Sequence, residues 1–214
     1  MSRSARWTAV VLAVFVVLGV ALWRQLGDSK APSGQQIGQA RVHRDADTPA
    51  ALAAPRAKAA LPPCPAPQGG PGPRALQGIT VDCAADGTPV DIAKAVAGRA
   101  VVLNLWAYWC GPCADELPAL AEYQRRMGAK VTVLTVHQDE NETAGLLRLA
   151  DLGVKLPMLQ DGRRLIAAAL RVPNVMPATV VLRPDGSVAQ VLPRSFTSAD
   201  EIAAAVNPQL GVSG

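Results

Sequence analysis

Two cysteines separated by two residues, Cys110 and Cys113 in the sequence CGPC, have the clearest chemical potential in this chain. Residues 100–105 before them form a continuous apolar run of the length of a buried strand, and helical periodicity follows them. This order places Cys110 at the start of a helix, where unpaired N–H groups and the helix dipole stabilise a thiolate. We therefore predict a redox-active disulfide in which Cys110 attacks and Cys113, one turn further on, resolves.

A zinc site is the main alternative for a CxxC pair, and it requires a second pair of ligands. The other two cysteines, Cys64 and Cys83, are neither in a CxxC motif nor near a histidine. The two histidines, His43 and His137, lie far apart in the sequence, so no metal centre is predicted. Redox chemistry is the preferred interpretation, and it needs no cofactor because the dithiol is itself the redox group.

The patterns around the dithiol predict one α/β domain from about residue 75 to residue 214. Hairpins are expected where short apolar runs flank a turn, at 79–83 with 88–92 and at 178–182 with 188–192. Strand and helix patterns alternate between the hairpins, at 100–105, 112–127, 130–136, 141–152, 156–159 and 163–170. A capping box, Ser198-x-x-Glu201, opens a last helix. The order predicts a parallel sheet with an antiparallel edge, and hence a mixed central sheet flanked by helices.

The composition is that of a folded protein without a nucleic-acid site. Half of the 214 residues are hydrophobic and 18% are charged, which excludes a fully disordered chain. The net charge of +4 is spread along the sequence, with no cluster of Lys or Arg interleaved with aromatic residues. Nucleic-acid binding is therefore not expected.

The N-terminal residues predict attachment to a membrane. Residues 7–23 carry no charge and have a tryptophan at each end, and as a helix they span about 25 Å, slightly less than the hydrocarbon core. Arg3 and Arg6 favour a cytoplasmic N-terminus over residues 1–6. No small-residue cleavage pattern follows, so a retained single-pass signal anchor is preferred to a cleaved signal peptide or a buried soluble helix. The domain is then expected on the extracytoplasmic side of the cell membrane.

Residues 24–74 have the composition of a tether. They contain nine of the 18 prolines and few large apolar residues, so burial cannot offset the entropy lost on ordering. Cys64 lies in this segment, and Cys83 lies on the first predicted hairpin. Because thiols outside the membrane tend to form disulfides, a structural bridge that pins the tether to the domain is preferred to free or intermolecular thiols.

The residues around the dithiol resemble a known family. Residues 101–113, VVLNLWAYWCGPC, resemble the active-site strand and helix start of the thioredoxin superfamily. Three features resemble one branch of the superfamily more closely, the membrane-anchored TlpA/ResA/DsbE-like proteins. They are Asn104, the Trp106-Ala107-x-Trp109-Cys110 run and Glu116-Leu117-Pro118. The resemblance covers about residues 75–210. It implies a thioredoxin-like fold with a TlpA-type N-terminal hairpin and a central insertion at about 141–170.

The resemblance implies a role for Glu116 in proton movement. In thioredoxin a buried Asp occupies the place of Asn104 and helps to move the proton of the resolving thiol, which Asn cannot accept. Glu116 is three residues after Cys113 on the same predicted helix face, and it matches a glutamate that influences the titration of the cysteines in the ResA-like branch. The alternative for Glu116 is a solvated surface charge.

The resemblance also implies a substrate-binding edge. Met176-Pro177 matches the cis-proline of the superfamily, so the backbone of Met176 is expected to pair with an extended substrate. Pro173 is the rival position for the cis-proline.

Trp106 and Trp109 occupy positions where the family has residues that surround the dithiol, and core packing is the alternative for both. For His137, a hydrogen-bonded histidine at a strand end is preferred to a metal ligand or proton shuttle.

Together these features predict an extracytoplasmic thiol-disulfide oxidoreductase. The Gly-Pro between the cysteines resembles thioredoxin more than the oxidant DsbA, which favours a reductase of exported proteins or apoproteins. The resemblance implies cytochrome c maturation or copper-site assembly as the context, with recycling by a membrane electron-transfer partner of the CcdA/DsbD type. The alternatives are an oxidant that installs disulfides in secreted proteins and a copper-binding assembly protein that uses the dithiol and Met176.

Overall fold

The computed structural model describes residues 47–70 and 72–213. The predicted cytoplasmic N-terminus (1–6), the predicted anchor (7–23) and the first part of the predicted tether (24–46) lie outside these ranges. Within them, no helix has the length and apolar character needed to cross a bilayer.

The described residues form seven strands and six α-helices. The strands and the helices after residue 110 lie close to the positions that the sequence patterns predict, whereas the helices Pro49–Ala59 and Ile92–Val96 are not among the predicted elements. The strands are β1 (Thr80–Cys83), β2 (Pro89–Asp91), β3 (Val101–Trp106), β4 (Thr132–His137), β5 (Met158–Gln160), β6 (Ala178–Leu182) and β7 (Val188–Leu192). The helices are α1 (Pro49–Ala59), α2 (Ile92–Val96), α3 (Gly111–Met127), α4 (Glu142–Asp151), α5 (Leu165–Ala169) and α6 (Ala199–Leu210). Short 3₁₀ turns occur at Arg74–Leu76 and Gly128–Lys130.

All seven strands belong to one sheet, in the order β2-β1-β5-β4-β3-β6-β7. The three central strands β5, β4 and β3 are parallel, while β1 and β6 join them antiparallel and each forms a hairpin with its outer neighbour. This arrangement confirms the predicted mixed sheet flanked by helices and its N-terminal hairpin. The predicted insertion, 141–170, contains α4, β5 and α5.

Strand β3 is buried along its whole length, as its apolar run predicts. Its side chains alternate between the two faces of the sheet. Val102 and Trp106 belong to the core cluster that contains residues of α3 and α6, whereas Leu103 and Leu105 belong to the cluster on the opposite face. Asn104 therefore projects toward the α3 side, between Val102 and Trp106.

Helix α1 differs from the predicted tether. Thr48 Oγ1 caps it by accepting a hydrogen bond from an N–H of its first turn, and Leu52 and Ala59 are buried. The Arg56 guanidinium forms an ion pair with Glu142 on α4 at 3.0 Å, and both side chains are largely buried. Composition did not predict this helix because it has few large apolar residues. Its formation is favoured by Ala-rich helix propensity, and its position is fixed by contacts that exist only in the fold, among them the ion pair of Arg56.

The segment after α1 is joined to the sheet by a disulfide between Cys64 and Cys83, 19 residues apart. Cys83 is the last residue of β1 and is buried. Cys64 packs against the core cluster that contains Leu103 and Leu105. The backbone N–H of Cys64 also donates to Cys83 Sγ at 3.2 Å. The part of the tether that the structure describes is thus fixed to the domain at α1 and again at Cys64.

Candidate active site

The dithiol lies at the junction of β3 and α3. Cys110 is the N-cap of α3, and its Sγ accepts a hydrogen bond from the backbone N–H of Cys113 at 3.2 Å. The two sulfurs form a disulfide, with Cα atoms 5.3 Å apart. Cys110 keeps 6% of its surface exposed, while Cys113 is fully buried. An incoming sulfur therefore reaches Cys110 more easily, and a thiolate there receives the N–H groups of the helix start.

The two tryptophans that precede Cys110 occupy different environments. Trp106 is fully buried and belongs to the core cluster that also contains both cysteines. Trp109 is 58% exposed, and its indole N–H donates to Asp139 Oδ2 at 2.9 Å. Trp106 therefore supports the dithiol from inside, whereas Trp109 presents an apolar surface beside it.

Glu116 is completely buried, which excludes the solvated-surface alternative. The side-chain amide of Asn104 donates to its Oε2 at 2.9 Å. Burial raises the pKa of Glu116 to about 7, although the Asn104 hydrogen bond and the nearby Phe196 N–H and Arg194 charge favour the ionised form. No hydrogen bond of normal geometry reaches its Oε1 from the described residues. A carboxyl group that titrates near neutral pH thus lies one helical turn beyond Cys113.

The Met176–Pro177 peptide bond is cis. Pro177 directly precedes β6, which pairs with β3 so that Ala178 stands opposite Leu105. The start of β6 and the end of β3 therefore share one edge of the sheet, and the cis peptide lies at the edge where the dithiol begins. Val175, just before Met176, is 46% exposed. Val175 and Trp109 are thus exposed apolar residues, the first next to the cis peptide in sequence and the second next to Cys110.

His137 is buried at the end of β4, directly beside Trp106 in the strand pairing. Burial lowers its pKa, so the ring is neutral at physiological pH. Its Nε2 accepts the backbone N–H of Tyr108 at 3.3 Å, which leaves Nδ1 to donate to Gln160 Oε1 at 2.9 Å. The contact of His137 with the loop before Cys110 could not be predicted from the sequence, because it depends on the parallel pairing of β3 and β4.

Within residues 47–70 and 72–213, no three His, Cys, Asp or Glu side chains are grouped so that they could hold a metal ion. The segment after β7, residues 193–198, contains no glycine. Phe196 from this segment is buried, and the Arg194 guanidinium lies 4.2 Å from the centre of its ring. This segment therefore closes over the Glu116 carboxyl with bulky side chains.

A mixed sheet with a dithiol at a helix start, opposite a cis-proline, defines a thioredoxin-like fold. The chain belongs to the Redoxin family, whose family model matches residues 55–205. The predicted thioredoxin-like fold and the resemblance to the ResA/DsbE-like branch are confirmed.

Individual relatives are similar over the same domain. The thiol-disulfide oxidoreductase ResA of Bacillus subtilis is 31% identical over 101 residues, which cover 47% of this chain and 56% of ResA. A secreted Mycobacterium tuberculosis disulfide oxidoreductase homologous to DsbE of E. coli is 25% identical, with a TM-score of 0.52 over 61% of this chain and 97% of that one. A secreted thiol-disulfide isomerase from Corynebacterium glutamicum is 26% identical, with a TM-score of 0.56 over 64% of this chain and 86% of that one. The chain spans little more than half the length of ResA.

Proposed function

We propose that this protein is an extracytoplasmic thiol-disulfide oxidoreductase that reduces disulfides of exported proteins through Cys110 and Cys113. The observation that carries the proposal is the position of Cys110, which caps α3 and accepts a hydrogen bond from the Cys113 N–H. Support also comes from the similarity to ResA and to two secreted disulfide enzymes.

The proposed exchange begins from the reduced dithiol. The Cys110 thiolate attacks one sulfur of the substrate disulfide, so that a mixed disulfide forms and one substrate thiolate leaves. Cys113 then loses its proton and attacks Cys110 Sγ, which releases the second substrate thiolate. Two electrons have passed to the substrate, and the protein is left with the Cys110–Cys113 disulfide.

Glu116 is the proposed acceptor of the Cys113 proton. It is fully buried on the same helix, and burial raises its pKa to about 7, so it can gain or lose a proton near neutral pH. Asn104 fixes the carboxyl by its hydrogen bond but has no titratable proton. In thioredoxin, a buried Asp at the place of Asn104 helps to move this proton. Here we propose that Glu116, on α3, has that role.

Substrate binding is proposed along the edge formed by Trp109 and the cis peptide. The backbone of Met176 is positioned to pair with an extended substrate segment, and Trp109 offers an exposed apolar surface next to the sulfur that is attacked. The electrons for a new cycle are proposed to come from a membrane partner of the CcdA/DsbD type.

The direction of the reaction is tested by the reduction potential. The full-length protein, purified in detergent, is equilibrated with glutathione buffers, and the fraction of oxidised Cys110–Cys113 is measured. A potential near the roughly −270 mV of thioredoxin supports a reductase, whereas one near the roughly −120 mV of DsbA indicates an oxidant. If the wild-type protein exchanges with peptide disulfides no faster than Cys110→Ser does, both the reductase and the oxidant functions are contradicted.

The extracytoplasmic location is proposed from residues 7–23 and from the secreted relatives. An uncleaved anchor leaves the N-terminal peptide in the membrane-extracted protein, where mass spectrometry detects it. A mature N-terminus between about residues 22 and 40 would overturn the anchor but not the exchange chemistry.

A further inference from the structure

The end of strand β4 contacts the loop that carries the attacking cysteine. The Nε2 atom of His137 accepts the backbone N–H of Tyr108 at 3.3 Å, and the imidazole packs against the Trp106 ring with centroids 5.0 Å apart. Two residues later, Asp139 Oδ2 accepts the indole N–H of Trp109 at 2.9 Å. The two residues that immediately precede Cys110 are therefore both held by β4 and the residues that follow it.

The same stretch is connected to the loop that leads into the cis peptide. Gln138 Oε1 accepts a hydrogen bond from Arg164 Nε–H at 3.0 Å, and Nη1 of the same guanidinium donates to Asn174 Oδ1. Asn174 lies two residues before Met176. Arg164 has a left-handed backbone conformation, with φ +57°, which a residue with a side chain adopts only at a cost that neighbouring contacts must offset.

The position of His137 is fixed from its other sides as well. Gln160 accepts the Nδ1 hydrogen at 2.9 Å, and its own amide donates to the Asp139 carbonyl at 2.6 Å. A side chain on Gly145 of α4 would place its Cβ 3.0 Å from the imidazole, so the helix approaches the ring as closely as a glycine permits. Hydrogen bonds and packing together leave the ring one position.

We propose that His137, Gln138 and Asp139, here named the β4-end cluster, are positioning residues that hold the Cys110 loop and the Met176 loop of the dithiol site in a fixed relation. The inference rests on the proposed exchange at Cys110–Cys113. The cluster acts through Tyr108 and Trp109 on one side and through Arg164 and Asn174 on the other.

This fixed relation has chemical consequences at both loops. The Cys110 thiolate is stabilised only while its sulfur stays within reach of the Cys113 N–H, at 3.2 Å in the structure. Freedom in Tyr108 and Trp109 would lower the fraction of time spent in that geometry, and so lower the reactivity of the thiol. Freedom in Asn174 would instead weaken substrate binding at Met176 without changing the thiol.

The first arm of the experiment measures the Cys110 thiol in the reduced full-length protein, by its iodoacetamide alkylation rate across pH. His137→Phe keeps a ring but loses both hydrogen bonds, and we expect a higher apparent thiol pKa and at least a threefold slower rate at pH 7. His137→Gln places an amide oxygen near the Nε2 position, and we expect its rate within twofold of wild type. The matched control is Tyr123→Phe on α3, which removes a hydrogen bond to Asn207 of α6, away from the dithiol.

A His137→Phe protein that is folded and alkylates like Tyr123→Phe would overturn the proposal. If His137→Phe does not fold, Asp139→Ala decides this arm, because it removes the acceptor of the Trp109 indole N–H and leaves Trp109 itself in place. Loss of the carboxylate charge by itself would favour the Cys110 thiolate, so a slower rate for Asp139→Ala supports the proposal, and an unchanged or faster rate overturns it. Since alkylation requires no disulfide exchange, this arm gives its result even if the proposed function fails.

The second arm measures steady-state reduction of a peptide disulfide by Arg164→Asn. Asn tolerates the left-handed conformation but cannot join Gln138 to Asn174. We expect KM to rise at least threefold, with kcat within twofold of wild type and an alkylation rate equal to that of Tyr123→Phe. An unchanged KM would overturn the link between the cluster and the Met176 loop.

Discussion

The side-chain amide of Asn104 donates a 2.9 Å hydrogen bond to Oε2 of Glu116, and both side chains are fully buried between β3 and α3. Only one member of the pair titrates, and burial raises its pKa to about 7. The Glu116 carboxyl, which is buried next to the dithiol, therefore changes its charge near neutral pH. Asn104, which holds this carboxyl by a hydrogen bond, stays neutral. This pairing makes the pH dependence of the site testable with single substitutions.

Glu116→Gln is expected to remove a pH-dependent loss of stability. In the folded protein the pKa of Glu116 is about 7, against 4.5 for an unperturbed Glu, so the native state retains a proton that the unfolded chain has lost. This proton makes Glu116 contribute about 3 kcal/mol to the unfolding free energy below pH 4.5. The contribution is lost as the pH rises from 4.5 through 7, where the native carboxyl also ionises. Relative to wild type, Glu116→Gln should gain about that much unfolding free energy between pH 4.5 and 8, measured by urea denaturation. A constant difference between the two proteins across this range would contradict the raised pKa.

The same variant is expected to change the titration of the thiols. Ionised Glu116 disfavours a neighbouring thiolate, so the alkylation profile of wild-type Cys110 should have an inflection near pH 7 in addition to the titration of the thiol itself. Glu116→Gln should lack it. Identical profiles would remove Glu116 from the proposed proton pathway.

Asn104→Asp is expected to destabilise the protein more at pH 8 than at pH 5. The substitution places a second carboxyl at hydrogen-bond distance from Glu116, and two buried carboxylates at this distance cannot both ionise without a large cost. At pH 5 the pair can share a proton, so the loss of unfolding free energy should be about 1 kcal/mol or less, and it should grow by at least about 2 kcal/mol at pH 8. Equal losses at both pH values would show that the two side chains are not coupled.

Cys113→Ser is expected to accumulate mixed disulfides with substrates, because Cys110 still attacks but nothing resolves the intermediate. Cys110→Ser should trap at least tenfold less, since the remaining thiol of Cys113 is fully buried. Non-reducing gels of alkylated membranes measure both. Equal trapping would contradict the assignment of attacker and resolver.

The double variant Cys64→Ser/Cys83→Ser is expected to lose roughly 3 kcal/mol of unfolding free energy, because the native bridge closes a loop of 19 residues in the unfolded chain. Non-reducing peptide mapping of the wild type should show the 64–83 linkage after mild reductant has opened 110–113. The order follows from Cys110, whose thiolate at the start of α3 is the better leaving group. Two free thiols at these positions in protein from its native compartment would exclude the bridge.

Helix α1 offers a matched pair of ion pairs to α4. Arg56 and Glu142 are largely buried, whereas Lys58 and Asp151 form an exposed pair at 2.9 Å. Arg56→Met should cost about 3 kcal/mol, because it leaves the buried Glu142 carboxyl without its partner. Lys58→Met should cost less than about 0.5 kcal/mol. Similar losses, measured by urea unfolding, would contradict the view that Arg56 fixes this helix.

The sequence by itself determined the dithiol, the order of the seven strands and of helices α3 to α6, and the turns of the two hairpins. A buried strand, a CxxC pair and a helical pattern follow one another within residues 100–127, so contiguous residues specify that Cys110 begins a helix. The hairpins are equally local, since each depends on a turn between adjacent runs. Such features are readable because their physical causes, side-chain periodicity and backbone preference, act over a few residues.

The tertiary structure decided what surrounds the dithiol. Glu116 is buried because β3 and the segment of Arg194 and Phe196 close over it, and no pattern near Glu116 distinguishes this from a surface charge. The docking of α1 likewise depends on Glu142, which lies 86 residues after Arg56, and composition alone predicted a tether there. Burial and hydrogen bonding between residues far apart in the chain arise only when the sheet brings them together, and these contacts set the pKa of the carboxyl beside the sulfurs.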